Sequence, residues 1–400
     1  MSHDWAALRE AELTEPGFQS FDRLLAGHVR DGKLAGVIGC VADDSGVRHL
    51  FMDGVKDRES GRPMTRDTIF RIYSMTKPVT GVAVMMLRDE GRFELDTPVS
   101  DFLPAFRDLK VLQPDGTTRP AKTPMTIRHL LTHTAGLTLP LSYDGPLADM
   151  YRNAGLEGMR SSGSLTDIAD RLAALPVDFE PGTRWQYSMA QDLLGRIVEV
   201  AGGQRFDRFL EERIFRPLGM TDTGFHVPAP KKDRFCSVYP APDDGTNAPI
   251  DRWDDSRFLA PPDFPSGGGG LVSTLDDYLV FARMLMDGGR GLLAAETVAE
   301  MTRNHLPGGC DMAAMGVEEF SGDRWEGFGF GLTMSVVADP VKASTGGPAG
   351  EYGWSGAAGT FFFNAPEHRA TAVLLTQYMP SKAYPLRRPF REAVYEGLAR

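Results

Sequence analysis

Ser74-Met75-Thr76-Lys77 is the segment of this chain best suited to covalent chemistry. Three residues is about one helical turn, so the two polar side chains face the same way. A serine hydroxyl attacks a carbonyl only when a base within hydrogen-bond reach removes its proton. A lysine accepts that proton in its neutral form, which the apolar run from Val79 to Leu87 favours by surrounding it. A serine at the start of a helix also has free N–H groups nearby to stabilise a developing oxyanion. The chemistry implied is acyl transfer. Pro78 disfavours helical geometry at Lys77, so an irregular first turn is expected. The Ser-x-x-Lys pair occurs once in the chain, and as a four-residue motif it needs corroboration.

Other chemistries lack their residues. No complete G-x-S-x-G elbow is present, Ser355 in Gly353-Trp-Ser-Gly-Ala falling one residue short of it. No H-E-x-x-H or similar spacing suggests a metal, and no cofactor motif appears. Cys40, Cys236 and Cys310 are odd in number and far apart. They predict neither a disulfide framework nor a zinc site, and Cys40 reads as a small core residue. A net charge of −11 disfavours nucleic acid and anionic membrane surfaces as partners. The N-terminal MSHDWAALREAELTEPGF has no apolar core of a signal peptide, and no stretch approaches the length needed to span a bilayer. A cytoplasmic, reducing setting is expected, with a small-molecule substrate.

The elements that must position Ser74 follow from patterning. Phe18 to Asp31 has helical spacing, and Gly32 suits its end. Two strands follow, joined by a turn at Asp44-Ser45-Gly46. Thr76 to Arg88 is apolar all round and predicts a buried helix. IRHLLTHT, LTDIADRLAAL, Gln191–Ala201, Phe206–Phe215 and Leu275–Met286 read as helices. Residues 227–270, rich in Pro, Asp and Gly and ending in SGGGG, predict a long irregular excursion over one face of a cleft. FGFGLTMSVV, GTFFFNAP and RATAVLLTQ read as strands, and Pro385–Leu398 closes the chain as a helix. The expected class is α+β: an antiparallel sheet built from both chain ends and flanked by helices, plus a mostly helical lobe. The expected division is 1–92 with 286–400 for the sheet lobe and 93–285 for the helical lobe, the site lying in the cleft between.

Three further segments, TIRHLLTHTAGL (126–137), Trp185-Gln186-Tyr187-Ser188-Met189 and YGWSGAAG (352–359), stand in order after Ser-x-x-Lys, the last placed just before a strand. With them the sequence resembles the class C β-lactamase and penicillin-recognising serine hydrolases over nearly its whole length, and most closely their family VIII carboxylesterase branch. The resemblance implies Ser74 as nucleophile, Lys77 as base and Tyr187 as proton relay to the leaving group. It implies an oxyanion hole from the N–H groups of Ser74 and Ala357, and a substrate wall of Trp354, Ser355, Gly356 and Met189. His129 and His133 read as packing residues. The departures from the family pattern point to esters. Met189 stands where lactamases carry an asparagine that can bond a substrate amide. Trp354 stands where they carry a lysine facing a substrate carboxylate, and offers apolar area instead. A carboxylesterase acting on short acyl chains is the expected function. The alternatives are a β-lactamase or D-amino-acid peptidase, and an acyltransferase to a bulky acceptor.

Overall fold

The computed structural model describes residues 17–241, 248–343 and 347–399. Most of the N-terminal stretch read above for an export signal lies outside them, as does part of the 227–270 excursion. Among the described residues, eight strands form one antiparallel sheet. They are β1 (Gly36–Asp43), β2 (Gly46–Asp57), β3 (Arg62–Pro63), β4 (Phe328–Phe330), β5 (Ser335–Val337), β6 (Tyr352–Ser355), β7 (Phe361–Ala365) and β8 (Ala370–Leu375), in the spatial order β3-β2-β1-β8-β7-β6-β5-β4. The two chain ends meet where β1 pairs with β8, Ile38 opposite Leu375 and Ala42 opposite Thr371.

Alternation along the strands sorts side chains to two faces. Val37, Val41, Phe361 and Phe363 pack with Phe21 and Leu25 of α1 (Gln19–Arg30) and with Phe390 and Val394 of the C-terminal helix Arg387–Leu398. Ile38, Cys40, Phe362 and Val373 face the opposite way, into the main core. That core holds α2 (Thr76–Asp89), α3 (Ala190–Gly202) and α4 (Leu275–Met286), and the C-terminal helix is α5. From Thr76 to Leu87 every residue of α2 is buried, as its uniformly apolar composition requires. This is the β-lactamase-like arrangement of mixed helices and antiparallel sheet.

Two strand assignments differ from expectation. FGFGLTMSVV is not one strand but the hairpin β4–β5, broken where Gly331 N–H bonds Met334 O at 2.8 Å and Thr333 takes φ 77°. YGWS is itself a strand rather than the approach to one. Its glycine hid it: a Cβ on Gly353 would stand 2.2 Å from Phe362 O, so only glycine permits this close pairing with β7.

Candidate active site

Ser74 sits in a 3-10 turn, Tyr73–Met75, that leads directly into α2. The turn is held on three sides. Ile72 N–H bonds Leu271 O at 3.1 Å, Tyr278 Oη of α4 donates to Met75 O at 2.9 Å, and Leu271 N–H donates to Thr76 Oγ1 at 3.1 Å. Tyr73 carries φ 44°. This left-handed conformation costs a non-glycine residue about 1–2 kcal/mol, which the surrounding contacts must offset. Pro78 falls in the first turn of α2, where a backbone N–H has no intrahelical acceptor, so the helix runs through it. The irregularity expected at Lys77 is thus displaced to the turn before it.

Lys77 is buried, with 3% of its surface exposed. Its Nζ lies 3.3 Å from Ser74 Oγ and 2.5 Å from Gly268 O, and sits 4.4 Å from the centroid of the Tyr187 ring. Hydroxyl, amine and phenol ring therefore share one small volume. The Tyr187 ring is itself packed by Trp354 (5.9 Å), His133 (4.9 Å) and Phe320 (5.2 Å), and its N–H donates to Tyr143 Oη at 3.0 Å. A cavity of about 240 Å³, lined by Tyr143, Gln186, Asp178 and Val317 among others, adjoins this support.

The edge of β6 supplies the other side. β5 pairs with β6 through Tyr352 and Gly353 only, so the Trp354–Ser355 backbone on that edge is free of it. Gly356 approaches the Ser74 turn closely: a Cβ there would be 2.4 Å from Ile72 O and 2.1 Å from Thr360 Oγ1. Gly356 O accepts from Arg387 Nη2 at 3.2 Å, which ties the strand end to the start of α5. Ala357 is exposed in the turn that follows.

This geometry can be set beside known proteins. The Beta-lactamase family model matches residues 21–396. The chain belongs to that family. Protein Rv1367c of Mycobacterium tuberculosis is 36% identical over 368 residues, 87% of each chain. Esterase EstB of Burkholderia gladioli is 35% identical over 392 residues, 94% of this chain and 93% of its own. Among solved structures, "EstCE1, a hydrolase with promiscuous acyltransferase activity" superposes with a TM-score of 0.77 at 29% identity, covering 94% of this chain and 99% of that one.

Within this family framework the expected residues fall into two groups. Ser74, Lys77, Tyr187 and Trp354 are linked by direct contacts, Gly356 packs against the turn that carries Ser74, and Ser355 and Ala357 flank Gly356 in sequence. The place of Met189 differs. It is the N-cap of α3 with no exposed surface, so it fills core and does not form the substrate wall expected of it. Trp354 is 5% exposed and its ring backs Tyr187, while its indole N–H has no partner among the described residues. His129 caps its own helix with Thr126. His133 is buried against Tyr187 and accepts or donates to Ser188 Oγ at 3.1 Å. Burial, then the nearby Lys77 charge, holds its imidazole well below the usual range.

One layer of the site escaped sequence reasoning. Asp192, in the first turn of α3, is buried, and its Oδ1 accepts from Ser266 Oγ at 2.6 Å and Gly268 N–H at 3.0 Å. Gly268 then presents its carbonyl to Lys77. Burial raises the Asp192 carboxyl above its ordinary range, opposed by these two bonds and by the Lys77 charge. The SGGGG run is thus not merely the end of a loop. Thr80 Oγ1 donates to Gly267 O at 2.8 Å, and a Cβ on Gly267 would lie 2.4 Å from Gln191 O. The signals were an acidic residue inside the apolar QDLLGRIV helix and four consecutive glycines. Among the described residues no group of three or more His, Cys, Asp or Glu could hold a metal ion, and no helix is long and apolar enough to cross a membrane.

Proposed function

We propose that this protein is a serine hydrolase that cleaves carboxylic esters through an acyl-enzyme on Ser74. The carrying observation is the placement of the buried Lys77 amine 3.3 Å from Ser74 Oγ and against the Tyr187 ring. The similarity to Esterase EstB over nearly the whole chain supports the ester as substrate class. Ser74 Oγ attacks the ester carbonyl while Lys77, with Tyr187, takes the hydroxyl proton. The N–H groups of Ser74 and Ala357 hold the oxyanion. On collapse the C–O bond to the alcohol breaks, and Tyr187 passes the proton to the departing oxygen. Water then attacks the acyl-enzyme, delivering the acid and restoring Ser74. The cleft lies between the sheet lobe and the helical lobe. Short acyl chains suit a wall of Trp354 and Tyr187. The cytoplasm is the proposed setting, supported by three free cysteines.

A fluorophosphonate probe followed by mass mapping tests the central assignment. The expected adduct is on Ser74; an adduct on another residue overturns it. Hydrolysis of a short p-nitrophenyl ester should exceed that of a chromogenic cephalosporin, since Trp354 offers no cation to a lactam carboxylate. The described activity of EstCE1 favours a second outcome of the same acyl-enzyme, transfer to an added alcohol. The ratio of transfer to hydrolysis products measures it.

A further inference from the structure

The wall beside Tyr73 is built from two separate segments, and each brings an arginine. Phe258 meets the Tyr73 ring edge-on, with centroids 6.4 Å apart at 88°. Met159 packs against the small cluster that contains Phe258. Its sulfur occupies the space beside Gly269, 2.6 Å from where a Cβ would stand. Gly269 adjoins the Gly268 carbonyl that holds Lys77. Next in sequence to these two anchors are Arg160 and Arg257, both exposed. Neither guanidinium has a carboxylate or carbonyl partner among the described residues, and Arg257 has only a ring contact, 5.8 Å from the Phe258 centroid.

The chain carries 54 acidic residues against 43 basic ones, and many of its arginines are paired. Arg71 is paired with Asp251, Arg66 with Asp276, Arg234 with Asp222 and Arg152 with Asp144 and Asp149. Burial of part of the Arg257 side chain, and further the charge of Arg160, lower its pKa, opposed by Tyr73 and Asp251. Asp251 acts on Arg257 from a distance while it is paired with Arg71, so both guanidinium groups keep donors free to receive an anion between them.

We propose that Arg160 and Arg257 form an anion-receiving rim beside Ser74, selecting esters whose acyl half ends in a carboxylate: half-esters of dicarboxylic acids. This rests on the ester-hydrolase reading. In that reading the alcohol departs past Tyr187, which leaves the acyl half to lie along Tyr73. The cation that Trp354 replaces at β6 is thus supplied from a different segment, for a different part of the substrate.

The test compares mono-p-nitrophenyl glutarate with p-nitrophenyl butyrate on the full-length protein, as wild type, Arg160→Gln, Arg257→Gln and the double variant. The expected result is a wild-type preference for the glutarate ester in kcat/KM. The double variant should lose it by about tenfold, less at high salt, with butyrate hydrolysis within about twofold of wild type. An undiminished rate on the glutarate ester, or equal losses on both esters, overturns the proposal. Calorimetric titration with N-butyl glutaramate, an amide carrying the same carboxylate, reads the rim without turnover. Binding about tenfold weaker in the double variant supports the rim even if neither ester is hydrolysed, in which case only the esterase reading falls. Equal binding overturns the rim whatever the esterase result.

Discussion

Asp192 is the residue through which the support of the lysine can be tested. Its Oδ1 accepts two hydrogen bonds in a site where only 2% of the residue is exposed. Asp192→Ala removes both acceptances and leaves the Ser266 hydroxyl and the Gly268 N–H with no partner in a buried setting. Each orphaned group costs about 1–3 kcal/mol. The Ser266 hydroxyl can rotate toward another acceptor, whereas the Gly268 N–H cannot, so a total of about 2–4 kcal/mol is expected. The catalytic effect is separate. The Gly268 carbonyl stands 2.5 Å from Lys77 Nζ, and relaxation of the glycine run moves that acceptor. A displacement near 1 Å of a positioning group costs on the order of a hundredfold in rate. Asp192→Asn keeps an acceptor oxygen in place and should remain within about 1 kcal/mol of wild type in stability. Urea unfolding of the three proteins and kcat on p-nitrophenyl butyrate read the two effects independently. An alanine variant within about 0.5 kcal/mol of wild type, or one with unchanged kcat, would show that the glycine run holds its shape without Asp192 and that the support described here is wrong.

Other perturbations address neighbouring parts of the site. Tyr187→Phe keeps the ring that packs on Trp354 and Phe320 and removes only the hydroxyl. Its kcat should fall by about 10²–10⁴ with little change in melting temperature, and an unaltered kcat would remove Tyr187 from proton transfer. Gly356→Ala drives a methyl group toward Ile72 O and Thr360 Oγ1. It should cost about 1–3 kcal/mol and at least tenfold in rate on the order of a small oxyanion-hole displacement, measured by thermal unfolding and ester turnover. Asp277, whose Oδ2 accepts from Asp222 N–H and Thr223 Oγ1, has its carboxyl pushed up to about 6 by burial. The folded protein then keeps a proton that the unfolded chain releases near 3.8. Stability from this group is full below that value and is lost as pH rises through about 6, a change of about 3 kcal/mol at 1.36 kcal/mol per pKa unit. Wild type should therefore lose stability relative to Asp277→Asn between pH 4 and pH 7; parallel curves would contradict the raised value.

What the sequence disclosed, and what it did not, divides along a physical line. Helices whose apolar faces repeat at helical spacing were legible: α1, α2 and α4 stand within a residue or two of where patterning put them. The antiparallel sheet from both chain ends followed from strands gathered at the two termini. β6 was not legible as a strand, because its glycine and its single tryptophan serve pairing with β7 and the packing of Tyr187 rather than strand propensity. The same holds for the site. Ser74 and Lys77 stand out by type and spacing, since chemistry restricts which residues can act, whereas Tyr187 was reached only through the family resemblance. Met189 misled because sequence order places it two residues from Tyr187, while the start of α3 turns its side chain inward. Asp192, Ser266 and Gly268 bear no motif, for their work is to hold a backbone carbonyl, which many residue combinations can do.

The position of Lys77 joins these threads into one constraint. Its amine is approached by the serine from its own first turn, by the Tyr187 ring ahead of α3, and by the Gly268 carbonyl from the glycine run. The carbonyl can only accept from the amine, so it retains a proton on Nζ and orients the remaining nitrogen valences toward Ser74 and Tyr187. In the proposed mechanism the amine donates one N–H to Gly268 O and turns toward the serine hydroxyl whose proton it takes. Asp192 serves that end at one remove: by fixing Gly268 N–H it aims the carbonyl on the far side of the same peptide unit's residue. Asp192 forms no ion pair with Lys77 among the described residues; beside its charge it bears on the lysine through the Gly268 backbone. A direct pair would stabilise the ammonium and oppose the base role. That distinction is what makes Asp192→Ala, rather than a change at Lys77 itself, the informative substitution.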